Sequence, residues 1–595
     1  MPTPSRRAVL GAGIAVSGGG LLSACSSRPG STMDHADRRP RPAAGPARYV
    51  EPDGPEVIAA ERRRGRGAVR EVRLTAGTTR LDLGGLTVDS WTYGQRLPGQ
   101  EVRVTAGDTL ALTLENQLPQ PTTLHGHGVA LRNDMDGAPG LTQEPVAVGG
   151  SFNYRFTVPN PGTYWLHPHS GVQLDRGLYT PLVVEDPREP LMYDHEWVVV
   201  LDDWLDGVDG STPDAVMEEL NRGMPHMGRA MDHGVPGAAA TAGAAAMTAG
   251  PAASATPTSA RPSASTSTAP SGSASPSAPA SPTTAPAATA TTPGATTTPG
   301  EGGERGAGPS RMLRDSYSRL LRGESGNVAY PYYLINGRTA KDPQTFRAKP
   351  GDRIRIRFIN AGADTPFRVA LGGHSMTITH TDGYPVEQTA TDALLLGMGE
   401  RYDVLVTAKS GAFPLTAVAE GKEGAAMAVL RTGAGAAPGP SARPTELGGR
   451  LVTADRLLAA EPARLPPGTP DRTIRMVLTG TMARWDWKIN HEPYDPGRRL
   501  PVRAGERVRL SFVNRSQMWH PMHLHGHTGS LAGFGAVRGG APAAGTGARK
   551  DTVIVLPRGQ VDMDFDADNP GLWMLHCHNL YHSESGMMTV LGYQK

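Results

Sequence analysis

The sequence predicts an all-β protein built from three tandem β-sandwich domains. Composition is the first reason. Of 595 residues, 74 are Gly and 53 are Pro, while aromatics make up 5%. That balance suits many short strands and turns and argues against a helical bundle. The second reason is a segment written three times: VRVTAGDTLALTLEN, FRAKPGDRIRIRFIN and PVRAGERVRLSFVN. Each sets a Gly beside an acid (Gly107-Asp108, Gly351-Asp352, Gly505-Glu506) and runs nine residues from that Gly to an Asn (Asn116, Asn360, Asn514). A Gly-acid turn followed by alternating apolar and polar residues is a half-buried strand. Its recurrence at domain-length intervals means repeated domains, and strand-rich units of that size close as sandwiches. Third, NPGTYWLHPHSG (160–171) is echoed by NPGLWMLHCHNL (569–580), so the outer two units share a feature that the middle one lacks.

In chain order, residues 1–25 read as an export signal. Arg6 and Arg7 precede a Gly-diluted apolar run, Ala8 to Leu22, which is too short and too weakly apolar for a transmembrane helix. Ser5-Arg6-Arg7 resembles a twin-arginine (Tat) signal and Leu22-Ser23-Ala24-Cys25 a lipobox. The expectation is export, cleavage before Cys25, lipidation of that thiol and anchoring to the membrane at the cell surface or periplasm. The plainer alternative is a secretory signal with an incidental Cys. Residues 26–66, rich in Arg, Pro, Gly and Ala, form a tether. The first domain is assigned to 67–188, the second to 189–440 and the third to 450–595. The second opens on the strand HEWVVVLDDW (195–204) and is interrupted at 234–308 by a stretch of almost only Ala, Pro, Thr, Ser and Gly. Such a stretch cannot bury a core and reads as a flexible linker open to O-glycosylation. The net charge of +2 excludes nucleic-acid binding driven by net charge, and two cysteines, Cys25 and Cys577, exclude a disulfide framework.

Four histidine clusters carry the chemistry: LHGHG (His125, His127), LHPHS (His167, His169), HPMHLHGH (His520, His523, His525, His527) and HCHNLYHSESGM (His576, Cys577, His578, His582, Met587). On a strand, residues i and i+2 share a face, so a His-x-His pair offers two imidazoles to one metal or to adjacent metals. Four such pairs point to a polynuclear site. Cys577 faces away from His576 and His578, so one strand can serve two sites. His520 and His582 with Cys577 make a trigonal His₂Cys set and Met587 a weak axial ligand, the combination of a blue-copper electron-transfer site. A zinc site is a poorer fit, because no tetrahedral ligand pattern emerges.

These clusters, in this order, resemble those of the multicopper oxidases, in particular the three-domain bacterial branch with its laccase-like and copper-efflux enzymes. The likeness spans the chain outside the signal, the tether and the insertion. It implies three cupredoxin-like Greek-key β-sandwich domains and four copper ions. By position it implies a type 1 copper on His520, Cys577, His582 and Met587, and a type 2 copper on His125 and His523. The type 3 pair falls to His127, His167 and His578 on one side and His169, His525 and His576 on the other. It also implies that one-electron donors reach a type 1 site near the surface through an exposed ligand edge, and that four electrons then reduce O₂ to water. Copper nitrite reductases share the blue-copper module but do not need the full type 3 set.

Asp136, nine residues after His127, matches a family acid that relays protons; a turn-forming Asp-Gly is the alternative. The second acid of the family follows the last type 1 His directly. Here Ser583 takes that slot and Glu584 comes one later. The donor is expected to be Cu(I), in copper detoxification, because soft thioethers select that ion. Residues 217–233, MEELNRGMPHMGRAMDH, hold Met224, Met227 and Met231, and Met518 lies in a slot resembling a cuprous-substrate ligand. The acid expected four residues before the type 1 His is Ser516 instead. Packing of these methionines on one helical face is the alternative reading. A broad laccase-like phenol oxidase, a ferroxidase and a copper-sequestering lipoprotein are the competing functions. His35, His195, His374, His380 and His491 stand alone and read as hydrogen-bonded or surface residues, and His527 as a support for its ligand neighbours.

Overall fold

A computed structural model describes residues 48–65, 67–223, 308–314, 316–535 and 541–595. Cys25, His35, Met224, Met227 and Met231 lie outside the described residues, as does nearly all of the Ala/Pro/Thr/Ser/Gly insertion. Among the described residues, no helix is long and apolar enough to cross a membrane.

Six sheets stand in three pairs along the chain. The first pair has four strands each, and the second and third pairs have six and five. In every pair the repeated Gly-acid segment becomes an inner strand. Thr109–Gln117 lies parallel to Val69–Asp82 and antiparallel to Ser151–Thr157. Arg353–Asn360 lies parallel to His195–Trp204 and antiparallel to Arg401–Thr407. Arg507–Asn514 repeats the pattern with Arg472–Thr479 and Gln560–Asp566. The glycine of each repeat sits at a φ of 93°, 92° or 86°, where a side chain would be strained, so the turn into the strand requires it.

The repeated Asn has an equally specific task. Asn116 donates through Nδ2 to the carbonyls of Gln120 and Val146. Asn360 does the same to Thr365 and Leu396, and Asn514 to Met518 and Val555. Each also accepts a backbone N–H from two residues on. One buried amide thus locks the chain as it leaves one sheet for the other, satisfying backbone groups that a corner would otherwise strand.

The three sandwiches share one apolar core, which runs from Val50 to Tyr593. The Pro-Gly glycines of the outer units mark where domains touch. A Cβ on Gly162 would stand 2.5 Å from Gly383 Cα in the second sandwich, and one on Gly571 would stand 2.3 Å from Asn133 Cγ in the first. Asn133 pairs with Leu572 in both directions, donating to its carbonyl at 2.7 Å and accepting its N–H at 2.9 Å. The first and third sandwiches therefore meet beside the strands that carry the histidines.

Candidate metal centres

Strand pairing assembles the histidines. In the first sandwich His125–His127 runs antiparallel to Gly162–His167, with His125 opposite His167. In the third, His520–Leu524 runs antiparallel to Leu572–Cys577, with His523 opposite His576. Facing each other across the interface, the two pairs bring together His125, His127, His167 and His169 with His523, His525, His576 and His578. The rings of His125 and His525 stack at 3.8 Å, as do those of His127 and His523. His578 closes the group, with ring centroids 4.9 Å from His127 and 5.4 Å from His167.

The tautomers follow from the outer hydrogen bonds. Through Nδ1–H, His125 donates to the Asp136 carbonyl, His167 to Pro168, His523 to Asp551 and His576 to Cys577, at 2.8 to 3.1 Å. His525 donates through Nδ1–H to Asp136 Oδ2 at 2.8 Å. Each Nε2 lone pair is left pointing inward. His127 is the reverse: its Nε2 meets Asp551 Oδ1 at 3.2 Å, and its Nδ1 faces in. The inward nitrogens of His125, His127, His167, His169, His523 and His578 are buried without a partner, and Nε2 of His525 faces Nε2 of His576 at 3.1 Å. Burial, and repulsion from neighbouring imidazoles, depress the pKa values of His127, His167, His169, His525 and His578 and hold those rings neutral. Convergent, neutral and unsatisfied lone pairs fit metal ions. Ligand atoms of His169, His525 and His576 converge within 4.8 Å, as do those of His125, His127 and His167 and those of His125, His523 and His525.

On the other face of the Leu572–Cys577 strand, Cys577 Sγ lies 3.6 Å from His520 Nδ1 and 3.7 Å from His582 Nδ1. Met587 is buried against them: its carbonyl accepts the Cys577 N–H at 3.0 Å, and its N–H donates to His582 O. The short helix Leu580–Glu584 presents His582, and Asn579 caps it by accepting the His582 N–H. Burial pushes the Cys577 thiol well up without a metal. A cation among these three ligands would reverse that, since a bound thiol is deprotonated.

One expectation is corrected here. The imidazole edges at this second site are not exposed: His520 and His582 are fully buried. His520 Nε2–H donates to Ser516 Oγ at 2.8 Å, and His582 Nε2–H to Asn327 Oδ1 at 2.7 Å. Trp487 packs on His582 with ring centroids 4.1 Å apart. Asn327 belongs to residues 316–328, which follow the long insertion and lie across the site; Glu324 in this cover pairs with Met518. Met518 is itself buried under it.

The expected acids are both at the histidine group. Asp136 is fully buried and bonds His125 and His525. Glu584 lines a narrow crevice with His167, His169, His576 and His578. Burial raises its carboxyl to about 7, although one edge stays open to solvent. His527 bonds the His525 carbonyl and Tyr593 and takes no ligand position. His195 pairs with Asp352, and His374 bonds Gly372 O and Lys409 N–H. Sequence reasoning missed Asp551, which touches His127 and His523 and is bound through both oxygens by Arg401 of the middle sandwich at 2.7 and 2.6 Å. It also missed Asn327 and Trp487. None of the three lies in a histidine motif; only Ser516 was marked, as a departure from the family pattern.

Known proteins agree with this geometry. Three multicopper oxidase family models match residues 75–189, 277–435 and 467–595. The chain is 44% identical over 99% of its length to multicopper oxidase MmcO of Mycobacterium tuberculosis, covering 96% of that protein. It is 27% identical to a copper resistance protein A homolog of Pseudomonas syringae pv. tomato, with 87% of this chain and 91% of the relative covered. Among solved structures, a multi-copper oxidase from Pseudomonas thermotolerans superposes with a TM-score of 0.57 at 22% identity, covering 89% of this chain and all of that one. A laccase from Botrytis aclada superposes at 0.60 and 20% identity, with 89% and 88% covered. Three domain models in order, a close full-length relative and two converging ligand groups place this chain in the multicopper oxidases, as an oxidoreductase that takes O₂ as acceptor and carries copper of types 1, 2 and 3.

Proposed function

We propose that this chain oxidises Cu(I) to Cu(II) outside the cytoplasm, as a means of copper detoxification. In this reading His520, Cys577, His582 and Met587 hold the type 1 copper, and His125 with His523 the type 2 copper. His127, His167 and His578 hold one type 3 copper, and His169, His525 and His576 the other. The metals supply one-electron transfer at the mononuclear position and a multi-metal seat where O₂ accepts four electrons. The protein's own part is placement. His576-Cys577-His578 is a continuous covalent bridge between the two groups. Asp136 orients two imidazoles, and Glu584 lines the crevice through which O₂ and protons reach the cluster.

The observation that carries the choice of donor is a line of contacts to His582. Gly223 is the residue before Met224, and a Cβ on it would lie 2.9 Å from Ala483 O. Next to Ala483, Met482 touches Asn327 Nδ2 with its sulfur, and Asn327 Oδ1 bonds His582. Gly223, the last described residue before the segment that holds Met224, Met227 and Met231, therefore lies beside the residues that cover His582. The covered imidazole edges favour a small ion with thioether affinity over a phenol that needs an open cleft. Relatives named as copper resistance proteins support the same reading. Met518 lies buried beneath this cover, two residues before His520.

Met217 sits on the helix Pro213–Asn221 and packs on the core, so the test deletes 224–233 only. The deletion raises KM for Cu(I) about fivefold or more and leaves KM for a phenol unchanged. Equal effects on both donors would make the segment structural. A copper-loaded protein that takes up no O₂ with Cu(I) would leave sequestration. Export and lipidation at Cys25 belong to this reading too; Cys25→Ala then moves the protein from the membrane to the soluble fraction.

A further inference from the structure

The copper-free middle sandwich reaches the type 1 site with one buried ion pair. Asp364 is fully buried, and its carboxylate has four donors. Oδ2 accepts from Lys422 Nζ at 2.6 Å, Asn327 N–H at 2.8 Å and Val328 N–H at 3.0 Å. Oδ1 accepts from Asn579 Nδ2 at 2.5 Å. Lys422, 2% exposed at its side chain, also donates to the carbonyls of Val328 and Asp364 and to Thr365 Oγ1. Both asparagines continue to the ligand set. Asn579 Oδ1 caps the helix that carries His582, and Asn579 itself stands two residues after Cys577 in the chain. Asn327 Oδ1 accepts from the outer nitrogen of His582. The Leu580 N–H donates to Ala363 O, so the same short stretch of the middle domain also holds the helix start.

We propose that Asp364, neutralised by Lys422, is a positioning residue for the type 1 centre that sets its reduction potential from the neighbouring domain. It acts in two ways. Its hydrogen bonds fix the loop that places the Cys577 sulfur and the His582 ring. Its charge, unscreened by water, stabilises the oxidised metal, while Lys422 opposes that. Removing either partner then shifts the potential in a predictable direction. This inference rests on the assignment of His520, Cys577 and His582 to the type 1 copper.

The test is a redox titration of the blue absorption band in the copper-loaded full-length protein, with the paramagnetic resonance signature recorded alongside. Asp364→Asn removes the negative charge and raises the potential. Lys422→Gln keeps a donor on Asp364 but leaves its charge uncompensated, and lowers the potential. Each shift corresponds to about a tenfold change in the Cu(II)/Cu(I) ratio at fixed poise. Asp364→Glu, which keeps the charge, stays closer to the parent protein than Asp364→Asn. A packing defect alone moves both variants the same way or lowers thermal stability with the potential unchanged, and either result overturns the proposal. If Asp364→Asn does not fold, Lys422→Gln decides alone, and an unchanged potential there overturns it. Absence of a blue band in the parent protein would instead overturn the type 1 assignment, so the two failures are told apart.

Discussion

At the scale of single residues, buried charge is used as a joint between domains. Asp403 of the second sandwich faces Arg355, Arg357 and His380, and accepts the Thr163 hydroxyl of the first sandwich at 2.7 Å. Burial alone would raise its carboxyl, but the two guanidinium groups overcome that and hold it below the usual carboxylate range. A depressed carboxylate pKa contributes stability above the unfolded value, about 4, and that stability is lost as pH falls toward the folded value. Asp403→Asn therefore costs about 3 kcal/mol at neutral pH, because two buried arginines lose the fully buried carboxylate they share and keep only the partly exposed Glu189 and Glu196. The gap between variant and parent narrows as pH drops below about 4. Denaturant midpoints across a pH series check both parts; a gap constant with pH would show that the charge is not the cause.

At the scale of elements, the Pro-Gly turn before each His-x-His strand is both a backbone device and an interdomain contact. Gly571 has a φ of 149° and sits against Asn133, which pairs with the backbone of the His576 strand. Gly571→Ala is predicted to cost about 2 to 4 kcal/mol and to reduce copper retention, since the added methyl pushes the first sandwich off the third. Gly505→Ala is the control: its φ of 86° carries backbone strain, but nothing lies within 4 Å of the added atom. Calorimetry and copper content separate the two variants, and equal copper loss in both would refute an interface role. The echo of NPG in the sequence was visible, but a repeat does not say what lies opposite it.

At the scale of the whole molecule, eight imidazoles from two domains converge on one group, four from each. Metal ions there bind only when both domains are docked, so binding adds to the stability of the docked state. Removing copper under reducing conditions is expected to lower Tm by about 5 °C or more and to expose the interface between the first and third sandwiches to protease. Readdition restores both. A Tm that does not respond to copper would mean that the apolar core and the asparagine pairs hold the domains without the metal. Copper removal also tests the cover: the contacts of Asn327 and Trp487 with His582 come from protein alone and should persist in the apo protein.

The sequence by itself determined the repeated module, the strand periodicity and the ligand types, because Gly-acid turns, alternation and His-x-His spacing are local and each has one physical meaning. It also placed Cys577 on the strand face opposite His576 and His578, since alternation is a property of the strand alone. Tertiary structure decided what those residues meet. Asp551, Arg401, Asp364 and Asn327 act across domain boundaries at separations of up to several hundred residues, where no periodicity links them to the clusters they serve. The sealed type 1 edge was decided there too. A ligand motif states which atoms can bind a metal, but only the packing of a segment from another domain states whether water, or a donor, can reach them.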